Sequence, residues 1–275
     1  LYSNTTGTRN TAIGWQAYQN SDTENDNLAI GYAAMTTNTA GGTLNTTVGN
    51  YGLDSLTSGD ANTSFGYQCG GGVTTGNNNV YFGYRAGDQD TAHQTGDKCT
   101  IIGSSCQTSA TDSNYETVLG YNVTGISAAF TFGNAGSDSS VGNGETSISA
   151  PSDIRLKEDI QDEKIGLDFI NDLRPVTFQW KKAKDISSEM DLHDLDSDER
   201  VMNGKYNHGF IAQEVKETID KYSDIKDGFG MWSEAGKDNR QRVGEGALMS
   251  IMVKAVQELS AQNADLLARI ETLEG

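Results

Sequence analysis

Through the first half of the chain, apolar residues recur at a nearly fixed interval in polar, glycine-rich sequence. The segments are Asn10-Thr-Ala-Ile-Gly14, Asn27-Leu-Ala-Ile-Gly31, Asn45-Thr-Thr-Val-Gly49, Asn62-Thr-Ser-Phe-Gly66 and Asn79-Val-Tyr-Phe-Gly83. Weaker copies are Cys99-Thr-Ile-Ile-Gly103, Glu116-Thr-Val-Leu-Gly120 and Ala129-Phe-Thr-Phe-Gly133. The closing glycines lie 17, 18, 17, 17, 20, 17 and 13 residues apart. An aromatic often follows (Trp15, Tyr32, Tyr67, Tyr84, Tyr121), then a small residue two positions later (Ala17, Ala34, Cys69, Ala86). Each unit is expected to be a short strand with one large apolar residue pointing inward. The glycine then marks a backbone position that a side chain would block or strain, and the linkers are turn chemistry. One unit cannot bury itself, whereas stacked units bury a continuous thin core. That thinness predicts three chains sharing the core around one axis. The alternative is a single-chain β-solenoid.

The second half has a different period. Ile165, Phe169, Ile170 and Leu173 fall at helical spacing. Pro175 stops that helix, and Val176-Thr-Phe-Gln-Trp180 alternates as a strand. A second helix is expected over 212–221 with Glu214 in its first turn, and Gly228-Phe-Gly-Met-Trp232 reads as a turn followed by a short strand. A terminal helix is expected over about 246–274. Along it Met249, Met252, Val256, Leu259, Asn263, Leu266, Ile270 and Leu273 alternate three and four apart, the a/d seam of a coiled coil. Asn263 falls on an a position, where a polar residue can fix register and strand number. The alternative is a core-facing helix of a monomer.

Composition sharpens the boundary between these patterns. Residues 1–151 hold 23 of the 32 glycines but only 15 of the 58 charged residues; residues 152–275 hold 9 glycines and 43 charged residues. Each half carries a net charge of −9, from 3 basic and 12 acidic residues in the first and 17 and 26 in the second. The boundary therefore marks a change of architecture. The total of −18 argues against a non-specific nucleic-acid binder, and no apolar run is long enough to span a membrane. The chain opens on Leu1 with no visible secretory signal, and is expected to be a piece of a longer protein. Cys69, Cys99 and Cys106 are odd in number and widely spaced, which argues against a disulfide framework or a zinc site. The acids between 185 and 200 lack the glycine and closing glutamate of a calcium loop and are expected to form a solvated loop. No cofactor or metal is expected.

The junction carries the chemistry. It reads Pro151-Ser152-Asp153-Ile154-Arg155-Leu156-Lys157. A serine hydroxyl needs a base to act as nucleophile, and a lysine amine serves only when neutral. An unperturbed lysine is neutral in roughly one molecule in a few thousand at pH 7. Burial or a nearby cation such as Arg155 raises that fraction. In an extended segment Ser152 and Lys157 would lie about 17 Å apart, so a turn or a second chain must bring them together. The bland alternative is that Ser152 caps a turn and Lys157 is a solvated charge.

Two resemblances add to this reading. Over roughly residues 8–135 the Asn-x-Ala-Ile-Gly pattern resembles the repeats in trimeric bacterial adhesin heads and in many phage tail fibres. From Ser152 onward, Ser-Asp-Ile-Arg-Leu-Lys-Glu-Asp-Ile160, Leu173-Arg-Pro-Val-Thr-Phe-Gln-Trp180, His208-Gly-Phe-Ile-Ala-Gln-Glu-Val215 and Val243–Leu259 resemble, in order, the C-terminal intramolecular chaperone of phage tailspikes, tail fibres and neck appendages, the peptidase S74 family. The resemblance implies an N-terminal all-β fibre segment (1–151, about 17-residue repeats) and a C-terminal α+β chaperone (152–275) ending in a trimeric coiled coil. It further implies a homotrimer that folds the fibre in register and then cuts Pro151–Ser152, with Ser152 as nucleophile and Lys157 as base. Asp153 and Arg155 would have positioning roles. His208 either lines that site or is structural, and the structural reading is preferred. Pro151 before the cut fixes its own φ and biases Ala150 toward extended geometry.

This reading places the mature 1–151 part in a virion tail fibre or appendage and the chaperone in the host cytoplasm during assembly. A second reading makes 1–151 a host-attachment module for a surface glycan or protein, with the C-terminal domain a permanent trimer cap. A third, a polysaccharide-degrading tailspike, needs paired carboxylates on a groove, and acids are sparse in 1–151.

Overall fold

The computed structural model describes residues 2–37, 41–88, 94–222, 225 and 229–274. The chain forms two compact units, Leu1–Glu158 and Asp159–Gly275. Residues 152–158 thus fold with the first unit, although the composition changes at Pro151.

The first unit is a parallel β-solenoid of about seven turns. Its strands are β1 (Thr11–Ile13), β2 (Leu28–Ile30), β3 (Thr46–Val48), β4 (Thr63–Phe65), β5 (Val80–Phe82), β6 (Thr100–Ser104), β7 (Thr117–Tyr121) and β8 (Ala129–Asn134). They pair in sequence order and parallel, and β9 (Ser137–Gly142) closes the sheet antiparallel to β8. The register places Ile13 beside Ile30, Ile30 beside Val48, and Val48 beside Phe65. Equivalent repeat positions therefore form columns along the array.

The expectation of one large inward residue per strand holds at Tyr81, Ile101 and Val118 and fails where the inward residue is small. The middle position points in: Ala29, Thr47, Ser64, Tyr81, Ile101 and Val118 are buried. The large residue before each glycine points out: Ile13 is 58% exposed, Phe65 50% and Phe82 53%. Side chains alternate along a strand, so a three-residue strand cannot turn both positions inward. The apolar mass of the core comes instead from the turns. Tyr18, Met35 and Leu53 take left-handed backbone (φ 53, 51 and 47°) and are 1%, 0% and 0% exposed. With Leu56, Val73 and the small residues Ala17, Ala34, Cys69 and Ala86 they close the core within one chain. The core of this unit is thus the one the single-chain solenoid reading describes.

A column of asparagines runs through that core. Asn27, Asn45, Asn62 and Asn79 are at most 1% exposed. Each side-chain oxygen accepts the backbone N–H of its successor: Asn27 Oδ1 from Asn45 N–H at 2.8 Å, Asn45 Oδ1 from Asn62 N–H at 2.9 Å, Asn62 Oδ1 from Asn79 N–H at 3.1 Å and Asn79 Oδ1 from Cys99 N–H at 2.9 Å. The amide groups donate to the carbonyls of Gly42, Gly59, Gly76 and Gly96 at 2.8–2.9 Å. One residue type thus satisfies both the strand entry and the turn of each of these coils, which a buried backbone requires. At Cys99 the column ends in a thiol facing Ser113 O at 3.3 Å. The glycine column is as strict: a Cβ on Gly66 (φ +141°) would lie 2.3 Å from the carbonyl oxygen of Gly83.

The second unit contains α1 (Leu167–Asp172), β10 (Val176–Phe178), β11 (Asn207–Gly209), α2 (Ala212–Lys221), β12 (Trp232–Ala235), β13 (Arg240–Val243) and α3 (Leu248–Glu274). β10 pairs with β11 and β12 with β13, both antiparallel. Ile165, Phe169, Leu173, Val215, Ile219, Met231, Leu248 and Ile251 form its core. Glu258 on α3 accepts the Leu167 N–H at 2.8 Å and anchors the start of α1. The elements fall where the periodicity places them: α2 has the expected bounds, and α3 follows a 3-10 turn over Glu245–Ala247. Gly228, expected to open a turn, lies outside the described residues. Asp198 in the acidic loop is held by Lys182 and Lys184, which pull its carboxyl down to about 2. On α3 the unit's own core uses Leu248, Ile251 and Ala255. The seam residues Met252, Val256, Leu259, Leu266, Ile270 and Leu273 remain 43–87% exposed.

The asparagine column yields a direct test. Asn62→Ala leaves the Asn79 N–H and the Gly76 carbonyl without partners inside the core. The expected cost is about 3 kcal/mol, read as a fall of about 10 °C in the melting temperature of the array. Cys99→Asn restores the missing member and should stabilise by about 1 kcal/mol.

Candidate functional site

The first unit ends in a tether followed by a tight turn. Ser140 on β9 and Ser149 exchange backbone hydrogen bonds at 2.8 Å each, with their hydroxyls 3.0 Å apart. This fixes the chain two residues before Pro151. Asp153 (φ −67°, ψ 137°) then caps a 3-10 turn over Ile154–Leu156. Its carboxylate accepts the Arg155 N–H at 2.8 Å and the Arg155 guanidinium at 3.0 Å and 2.6 Å. That contact holds the Asp153 carboxyl below the usual carboxylate range. The Lys157 N–H returns to Ile154 O at 3.1 Å.

The turn folds Lys157 back over Ser152, and Lys157 Nζ donates to Ser152 Oγ at 2.7 Å. A separation of about 17 Å in extended chain thus closes within one chain. Asp153, not Ser152, is the capping residue, so the cap reading of Ser152 is corrected. Asp153 and Arg155 pair with each other and shape the turn. Ser152 and Lys157 are both exposed, and Ile154 and Leu156 beside them are 72% and 68% exposed. The geometry suits proton transfer between hydroxyl and amine. A lysine acts as base here only in its neutral form, which desolvation or a nearby cation favours. Ser140 and Ser149 position this site and were not legible in the sequence, because neither falls on the repeat.

His208 lies on β11 in the second unit, with Nδ1 3.4 Å from Thr177 Oγ1. It lines an open pocket of about 320 Å³ with Pro175, Val176, Phe210 and Glu245. Glu214, in the first turn of α2, is paired with Arg174, which holds its carboxyl below the ordinary range. Among the described residues no group of His, Cys, Asp and Glu is arranged to hold a metal ion, and no helix is long and apolar enough to cross a membrane. The three cysteines are buried free thiols, and burial pushes Cys69 and Cys99 up to about 11.

Comparison with protein families gives a match over residues 152–223 to Peptidase S74, the chaperone of endosialidase. Over residues 152–223 the chain is thus similar to Peptidase S74. The match opens on the serine that the turn presents to Lys157. It covers the turn, α1, β10, β11 and α2 and stops short of α3. No curated protein and no solved structure matches the chain.

The Asp153 cap shapes the turn that brings Lys157 onto Ser152. Asp153→Ala removes the cap and the guanidinium pair together. Any scission at Pro151–Ser152 should slow by about tenfold or more, while Asp153→Asn, which can still cap, should lose less. A gel time course of freshly made protein measures both.

Proposed function

We propose that the chain joins a β-solenoid fibre segment of a viral tail or appendage to an intramolecular chaperone that trimerises it and then leaves by self-cleavage. The observation that carries this reading is the Peptidase S74 match opening at Ser152, with Lys157 Nζ 2.7 Å from its Oγ.

In the proposed reaction Lys157 in its neutral form takes the Ser152 hydroxyl proton. Ser152 Oγ attacks the carbonyl carbon of Pro151. The amide nitrogen of Ser152 leaves with that proton, and the resulting ester between Pro151 and Ser152 Oγ is hydrolysed by water. The reaction is intramolecular and turns over once. Assembly would supply desolvation: packing other chains over Ile154 and Leu156 would exclude water from the amine.

Two exposed apolar surfaces support self-association. One is the outward column of the solenoid, with Ile13, Phe65, Phe82, Ile102 and Leu119 each 38–58% exposed. The other is the α3 seam. Contiguous exposed apolar surface of this kind marks a protein contact. Asn263 within the seam would set its register and strand number at some cost in stability. The N-terminal unit, once freed, would remain in the virion, and binding of a host surface glycan or protein would fall to it.

Intact-mass analysis of wild type, Ser152→Ala and Lys157→Ala tests the cleavage. Wild type should give fragments of 151 and 124 residues (275 − 151), and both variants a single full-length species. Uncut wild type would favour a permanent trimer cap. For the seam, Leu266→Asp should convert a trimer into monomer in sedimentation equilibrium and reduce cleavage with it. An unchanged mass would remove α3 from the interface.

A further inference from the structure

Stacking equivalent positions brings like charges together wherever the sequence repeats an acid. It does so at Asp54 and Asp88, on the coils that carry β3 and β5, with Gly71 on the coil between them. The residues just before them are bonded coil to coil: Leu53 N–H donates to Cys69 O at 3.1 Å, and Gly70 N–H to Ala86 O at 2.8 Å. Glycine at 71 leaves the space between the two acids bare. A Cβ there would lie 3.0 Å from Asp54 Oδ1 and 3.3 Å from Asp88 Cγ. Two half-buried carboxyl groups thus face one another across a single backbone strand.

Their surroundings compensate the charge only in part. Arg85 attracts Asp88, but its Nη2 donates to the Asp88 backbone carbonyl at 3.0 Å and its Nε is buried with no hydrogen-bond partner. Gln68 and the Gly72 N–H donate to Asp88, yet Asp88 Oδ2 is shut off from water with no donor. Asp54 accepts from the backbone N–H groups of Asp54 and Ser55. Among the described residues the other titratable neighbours are the phenol of Tyr51 near Asp54 and the thiol of Cys69 near Asp88. Both are raised by burial and stay neutral in mild conditions.

We propose that Asp54 and Asp88 form a coupled pair of acids across Gly71 that favours these three coils in mildly acidic solution, where Asp54 keeps its proton, and loosens them as Asp54 ionises toward neutrality. Burial is the first cause raising each carboxyl, and the charge of Asp88 adds to it at Asp54, which reaches about 6 from an ordinary 3.8. Between about pH 4 and pH 6 the folded array therefore holds a proton that the unfolded chain has released. The stabilisation is complete below the ordinary carboxylate value and is lost as pH rises through about 6. This device is independent of the chaperone reading, because every residue in it lies within the solenoid.

The test is thermal unfolding of the full chain at pH 5 and pH 8, followed by calorimetry. The variants are Asp54→Asn, Asp88→Asn and Asp112→Asn, the last removing one exposed charge far along the sequence from the pair. The wild-type array should gain about 3 °C more than Asp54→Asn on going from pH 8 to pH 5. At pH 8 Asp54→Asn should melt above wild type, and Asp112→Asn should follow wild type. Should Asp88→Asn fail to fold, Asp54→Asn alone decides. Retention of the full wild-type pH shift in Asp54→Asn overturns the proposal.

Discussion

Everything in the first unit follows from one constraint: each coil hydrogen-bonds in parallel to the next, so every residue sits on its own counterpart. A column must then be built from residues that tolerate themselves as neighbours. Asparagine does, because its oxygen and amide group face different partners and the pattern repeats without conflict. Glycine does where carbonyl oxygens approach to 2.3 Å from the position a Cβ would take. Threonine and serine do where Thr47 and Ser64 share a hydrogen bond at 2.6 Å inside the core. Aspartate does not, and at positions 54, 71 and 88 the sequence places glycine between the two acids.

The same constraint sets what the unit shows to its surroundings. A three-residue strand offers one position to the core and two to the outside. Because the inward position is often small, the larger residues collect on the outer face. Phe65 stacks on Phe82 with ring centroids 5.2 Å apart, and Tyr67 on Tyr84 at 5.7 Å. Such rings gain from each other, but their outer surfaces stay wet in a single chain. The coil core and the outer column are therefore separate stores of apolar surface. The first closes one chain on itself, and under the proposed function the second is what joins three.

Much of this was legible in the sequence. The interval between glycines identified the coils because the parallel register forces a fixed contour length. The helix over 212–221 was legible because its apolar positions recur at helical spacing and are the ones that pack. The expected inward residue is large at Tyr81, Ile101 and Val118, but at Ala29, Thr47 and Ser64 it is small, because the larger residue before the glycine alternates outward. Tyr18, Met35 and Leu53 were hidden because they look like turn residues. Their left-handed backbone, which no residue-type pattern announces outside glycine and asparagine, swings them into the core. At the junction, composition located the change of architecture, and the spacing of Ser152 and Lys157 left open whether a turn or another chain unites them. The Asp153–Arg155 contact, local in sequence, accounts for the turn.

A solenoid that closes its own core changes the problem a chaperone has to solve. Each chain can form coils alone, since its asparagine column and turn residues need no partner. Under the proposed function what remains is the alignment of three outward columns, and near-identical repeats make a shift by one coil cheap. A contact at one end removes that freedom, because it sets the register of the first coils brought together and raises the effective concentration of the rest. An exposed dyad at the foot of the solenoid fits this order of events. Under the proposed function the bond stays intact while the chains are separate, and it becomes open to scission once assembly covers Ile154 and Leu156. Under the proposed function, then, the exposure of Ser152 and Lys157 in the single chain is how scission waits for alignment.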